Sequence, residues 1–192
     1  MDSRAWDDRY RLADRLWSAD PNLFVVDRLG RATPGEGLDV AAGDGRNAIF
    51  LAEQGWSMRA VNFSAVAIQR GRSLTTDVVF EVADVTAYEP GQAFDLVLIA
   101  YLHLPADDMA PLVKRSLTWL NPGGELFMIG HDRSNLDDGY GGPQVPEILW
   151  DVDETLTWLD DTRVIEALRV RRPVDTEAGP VFALDTLVRV QA

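Results

Sequence analysis

The chain contains no cysteine, a single lysine at position 114 and two histidines, at positions 103 and 131. Without cysteine there are no disulfides, no thiolate nucleophiles and no thiolate-bound zinc or iron–sulfur centres, and only two imidazoles are available as metal ligands. No metal is expected. A lone Lys114 removes the P-loop lysine and restricts amine chemistry to that one residue. Basic residues are scarce as a group: 18 Lys plus Arg stand against 31 Asp plus Glu, a formal net charge of −13. Such a field repels the phosphate backbone whose neutralisation drives nucleic-acid binding, so nucleic acid is not an expected partner. The longest apolar runs are strand-sized, and the opening MDSRAWDDRYR has no apolar stretch of the signal type. The expectation is a soluble, cytoplasmic protein with no membrane partner.

What is present is ordinary globular material. Hydrophobic residues make up 46% and charged residues 26% of 192 positions, enough to bury a core and a usual length for one domain spanning 1–192. From residue 36 to 130, short β-rich apolar runs alternate with helix-like segments, the pattern of βαβ units around a parallel sheet. The strand candidates are Gly37–Ala41, Met58–Asn62, Val78–Val82, Phe94–Ala100 and Glu125–Ile129. Their predominantly apolar character predicts burial on both faces. Helices are expected over Arg46–Gln54, stopped by Gly55, over AVAIQRGRSL behind a capping Ser64, and over ADDMAPLVKRSLTWL behind Pro105. Pro111 either kinks the last of these or marks where it begins.

Residues 1–30 read as a helical cap, with Trp6, Tyr10, Leu12, Leu16 and Trp17 at roughly helical spacing and a second apolar helix at 23–29. ETLTWLD predicts a short helix. Arg163–Arg171 and Val181–Val190 alternate as strands, with Pro173 and Pro180 between them suggesting a hairpin with a long turn.

The sharpest motif is LDVAAGDGRNAIFLA at 38–52, a strand running through glycines straight into a helix. Gly43 and Gly45 permit unusual backbone angles and close approach of a ligand, while the helix start offers unpaired amides. Two ligand classes fit, because Gly43-x-Gly45-x-x-Ala48 also satisfies a dinucleotide fingerprint.

With Asp39 four residues before Gly43, this stretch resembles motif I of the class I S-adenosylmethionine-dependent methyltransferases, an acid opening a D-x-G-x-G-x-G run in which Ala41 here replaces the first glycine. Further stations follow in order: AVNFSAVAIQRGR at 60–72, VADVTAY at 82–88, FDLVLIAYLHL at 94–104 and LNPGGELFMIG at 120–130. The opening WDDRYR…LWSADPN is similar to the N-terminal cap of small-molecule enzymes of the tellurite- and thiopurine-type group. The resemblance implies a Rossmann-like α/β fold: a mostly parallel seven-stranded sheet with a C-terminal antiparallel hairpin and helices on both faces.

It also implies S-adenosyl-L-methionine as cofactor, S-adenosyl-L-homocysteine as product and a small-molecule acceptor for a protein acting as monomer or homodimer. Asp39 would serve the cationic end, the segment Ala41 to Asn47 the methionine part, and Arg46 its carboxylate. At the end of strand two the family places an acid on the ribose hydroxyls, where this chain has Asn62. Phe63 could pack on adenine, Asp84 and Val85 would receive the adenine edge, and Ala100 and Tyr101 close strand four at the ligand edge. Methyl transfer from a sulfonium needs alignment more than acid–base help. His103 and His131 follow strands four and five, and histidine suits removal of a proton from a nucleophile. The polar, glycine-rich stretch 131–150, with Arg133, reads as an active-site loop, and Tyr10 and Trp17 face the acceptor from the cap. Two alternatives stand beside this: a cofactor-binding protein turned to sensing or other chemistry, motivated by Asn62, and an NAD(P)-dependent oxidoreductase.

Overall fold

A computed structural model describes residues 3–12, 20–159 and 162–192, and its contacts divide the chain into two compact units, Met1–Leu98 and Ile99–Ala192. The first unit holds α1 (Ser3–Leu12), α2 (Leu23–Leu29), β1 (Glu36–Val40), α3 (Arg46–Glu53), β2 (Ser57–Asn62), α4 (Ala65–Leu74), β3 (Val78–Val82) and most of β4 (Phe94–Ala100). β1 and β2 pair in parallel with Leu38 opposite Arg59, and β2 and β3 with Ala60 opposite Phe80. Four of the five β1 residues, Asp39 among them, are buried, as expected of a strand in a sheet covered on both faces. Two helix starts follow directly from side-chain chemistry: Asn22 Oδ1 accepts the amides of Phe24 and Val25, and Ser64 Oγ accepts that of Ala67.

The second unit holds α5 (Ala106–Thr118), β5 (Leu120–His131), α6 (Asn135–Asp138), α7 (Val152–Thr157), β6 (Arg163–Thr176) and β7 (Gly179–Gln191). β7 runs antiparallel to β5, with Met128 opposite Val188, and antiparallel to β6. Met109, Leu112 and Val113 of α5 and Leu126 to Ile129 of β5 form its apolar interior.

The strand order β3-β2-β1-β4-β5-β7-β6 is a mixed sheet, parallel through its first members and antiparallel at its C-terminal strands. Two details differ from the sequence expectation. α5 is continuous through Pro111; Asp107, whose carbonyl the proline leaves without its helical donor, is exposed, as is Pro111, so water can replace the missing bond. The hairpin has no long turn: β6 and β7 extend to Thr176 and Gly179, leaving only Glu177 and Ala178 between paired ends. Pro173 sits inside β6 because that strand is the edge of the sheet, where a missing N–H is tolerated.

Candidate functional site

In the first unit the chain leaves β1 through a run of left-handed residues: Ala41 at φ +59°, Gly43 at +63° and Gly45 at +85°. Gly45 caps α3 in that conformation. Ala41, standing where the motif has glycine, therefore holds a backbone angle that L-residues adopt only at a cost of about 1–2 kcal/mol. A Cβ at Gly45 would lie 2.5 Å from the Phe80 ring, and one at Gly43 would lie 2.7 Å from the Tyr10 hydroxyl. Tyr10 of α1 is thus seated on the glycine turn, 3% exposed, with its carbonyl accepting from Arg70 at 2.6 Å.

Asp39 is 1% exposed, and neither carboxylate oxygen accepts a well-formed hydrogen bond from the described residues. Burial raises its pKa to about 7, against the opposing pull of the Ala48 amide and the Arg46 charge. A buried carboxylate short of hydrogen-bond partners beside a strained turn has the chemistry to receive a cation or a donor-rich group. The neighbouring side chains are committed elsewhere. Asn47 Oδ1 accepts the Asn22 amide at 2.8 Å, tying α3 to the cap of α2, and Arg46 donates to the Asp20 carbonyl at 3.4 Å.

At the end of β2, buried Asn62 spends its Oδ1 on the Ser64 amide at 2.8 Å, closing the turn into α4. Its Nδ2 has no partner among the described residues. Ser64 donates to Asp7 of α1 at 2.6 Å, and this bond is the main reason the Asp7 carboxyl stays below its ordinary pKa. Phe63 is half-buried. After β3, exposed Asp84 accepts from both the amide and hydroxyl of Thr86, so it caps its own turn, and Val85 is buried behind it.

In the second unit the ends of β4 and β5 carry a polar cluster. Tyr101, directly after Ala100, has φ +57°, a strained angle for a bulky residue. Its hydroxyl donates to Asp185 Oδ2 at 2.6 Å, and Arg172 Nε donates to both Asp185 Oδ2 at 2.8 Å and the Tyr101 oxygen at 3.0 Å. Asp185 Oδ1 lies 3.1 Å from His131 Nδ1, at an angle short of a straight hydrogen bond. Burial would raise the Asp185 carboxyl, but His131, Arg172 and Tyr101 outweigh it and hold the group ionised below its ordinary range. His103 is different: its Nε2 accepts the His131 backbone amide at 3.0 Å, and burial, with the neighbouring His131, lowers its pKa to about 4. A neutral imidazole with that lone pair occupied is a structural prop for His131 and not a base.

The stretch after β5 is knitted down at its start. Buried Asp132 accepts from Thr186 and Ser134 and faces Arg169, while buried Asn135 accepts the Leu184 amide at 2.7 Å and donates to the Gly141 carbonyl at 2.8 Å. Gly142 closes on the His131 ring, where a Cβ would come within 3.1 Å. Arg133 turns away to Glu154 and the Leu149 carbonyl. Trp17 lies outside the described residues. Asp185 and Arg172 were not anticipated from sequence. The available signal was an acid in register with Ala183 and Leu187, whose positions all lie fully buried along one face of β7.

Residues 38–124 match the family model of a methyltransferase domain. Over 104 residues the chain is 32% identical to phosphoethanolamine N-methyltransferase 1 of Arabidopsis thaliana, covering 50% of this chain and 21% of that protein. Over 107 residues it is 33% identical to demethylmenaquinone methyltransferase of Renibacterium salmoninarum, covering 55% and 45%. The chain thus spans between a fifth and half of the length of these relatives. Among solved structures, the N-methyltransferase NodS of Bradyrhizobium japonicum WM9, in complex with S-adenosyl-L-homocysteine, superposes with a TM-score of 0.71 at 16% identity, covering 100% of this chain and 98% of that one. The likeness establishes the Rossmann-like methyltransferase fold.

Proposed function

We propose that this chain, carrying a methyltransferase domain sequence on a class I methyltransferase fold, transfers a methyl group from S-adenosylmethionine to a small-molecule acceptor, with S-adenosylhomocysteine as product. The observation that carries the reading is Asp39: a fully buried carboxylate without a well-formed hydrogen bond among the described residues, at the mouth of a left-handed turn, fits a cofactor with a cationic end. When bound, that cofactor supplies a methyl group already activated on sulfonium, so the protein's task is to bind, orient and exclude water. Asp39 balances the cationic end, and the amides opening α3 receive the methionine part. Asn62 offers its unpartnered Nδ2 to the ribose, and half-buried Phe63 offers a face to the adenine ring. An NAD-type ligand would instead bring a pyrophosphate toward this buried carboxylate, an unfavourable pairing of like charges.

The acceptor is a small molecule: the relatives' names carry phosphoethanolamine and demethylmenaquinone, and a net charge of −13 disfavours nucleic acid. The tellurite- and thiopurine-type group is one branch of such enzymes, supported by the WDDRYR segment in α1. Incubation with S-adenosylmethionine and a panel of hydroxyl, amine, thiol and metalloid acceptors should release S-adenosylhomocysteine in a protein- and acceptor-dependent way. Saturable cofactor binding with no product from any acceptor would favour a sensor or a repurposed enzyme.

A further inference from the structure

The arginines of the two C-terminal strands are spent in different ways. Arg189 of β7 gives Nε and Nη2 to Glu125 at 2.7 and 3.1 Å and Nη1 to Glu166 at 3.4 Å, so its donor fork is used within the protein. Arg172 of β6 uses Nε alone, shared between Asp185 Oδ2 at 2.8 Å and the Tyr101 oxygen at 3.0 Å, and no described residue accepts from its Nη1 or Nη2. From that open edge we propose that the second unit holds a binding site for a small carboxylate, which Arg172 receives through its two Nη groups.

The fork is fixed before any ligand arrives. Arg172 stands opposite Ala183, so it shares a strand face with Asp185 two residues further on. Asp185 is fully buried and ionised, and Tyr101 donates its hydroxyl to the same Oδ2 at 2.6 Å. The guanidinium also lies over the Tyr101 ring, 5.5 Å from its centroid. Three contacts, two through Nε and one through the ring, hold an otherwise flexible side chain, so little ordering remains when a carboxylate meets the Nη edge. Tyr101 provides two of the three from a strained backbone at φ +57°. An arginine needed only to neutralise Asp185 would pair with it bidentately through Nε and one Nη, the stronger arrangement that Arg189 makes with Glu125.

Water alone explains an open edge on an exposed arginine. Arg169 is such a case: it meets Asp132 through Nε, and its side chain is 48% exposed. The Arg172 side chain is 26% exposed, so less water reaches its remaining donors. A carboxylate matches them, because two parallel N–H groups in one plane meet two oxygens in one plane. Asp185 already balances the arginine charge and the whole chain stands at −13, which favours a single negative charge over the two of a phosphate monoester. His131 meets the Tyr101 ring from β5, centroids 5.0 Å apart, and its Nε2, unpartnered among the described residues, supplies a polar contact for a second group on the ligand. All of these residues belong to the second unit, so the site is independent of the glycine turn and of the methyl-transfer reading.

The test is nitrogen-15 NMR of the intact protein with labelled arginine, using benzoate as the probe and benzamide as its neutral counterpart. The expected result is a saturable shift of the Arg172 guanidinium resonance with benzoate and none with benzamide. Binding should be about tenfold weaker in Arg172→Lys, which keeps a charge beside Asp185 but loses the fork. An unmoved Arg172 resonance in the wild type overturns the proposal without any variant, and so does equal binding of benzamide or undiminished binding to Arg172→Lys. The methyl-transfer reading fails separately, if S-adenosylhomocysteine does not bind, and that result leaves this site untouched.

Discussion

Asp39 carries the heaviest load of any single residue. Its pKa of about 7 lies above the ordinary 3.8, so the free protein keeps a proton there that the unfolded chain has lost. Between those two values the contribution of Asp39 to the stability of the free protein therefore falls as pH rises, opposite to that of His103, whose pKa of about 4 lies below the ordinary 6.5, and Asp39→Asn should remove the falling contribution. A bound cation reverses the preference and expels the proton, so S-adenosylhomocysteine, with its ammonium group, should bind more tightly as pH rises toward 7 and level off above it. Calorimetry in buffers of different ionisation enthalpy reads the proton release directly, and a pH-independent affinity would show that Asp39 does not meet the cation. The place of this residue, ahead of the glycine turn, was legible in sequence because the acid, the glycines and the helix are contiguous. The commitments of its neighbours were not: Asn47, Asn62 and Asp84 each use their side-chain oxygen on a nearby backbone amide, and such capping competes with ligand binding in any sequence reading.

The regular elements were legible wherever one local signal sufficed. Ser64 predicted the start of α4, and the apolar run of β4 matched its observed limits. The hairpin misled because Pro173 and Pro180 look like breakers, and only the pairing of β6 with β7 reveals an edge where the first is harmless. The polar composition of the stretch after β5 also hides anchors: Asp132 and Asn135 are buried against β7. Asn135→Ala should leave the Leu184 amide and the Gly141 carbonyl unpaired and cost about 1–3 kcal/mol in denaturant unfolding. Exchange at the Leu184 amide should rise, and an unchanged exchange rate would contradict the anchoring role.

At the level of the whole molecule, alternation of strand and helix revealed the parallel sheet, and the ordered stations from Asp39 to Gly130 revealed its kind. The Tyr101–Asp185–Arg172–His131 cluster stayed hidden because it depends on strand pairing across 54 residues of sequence between His131 and Asp185, which no local pattern encodes. The cofactor reading, in contrast, rests on one unit, the glycine turn and the carboxylate behind it. Calorimetric titration of the intact protein with S-adenosylhomocysteine and, separately, with NAD tests it most directly. One-site, saturable binding of S-adenosylhomocysteine, weakened at least about tenfold in Asp39→Asn by loss of a charge-assisted contact, is the predicted result, with no binding of NAD. Saturable binding of NAD and none of S-adenosylhomocysteine would contradict it.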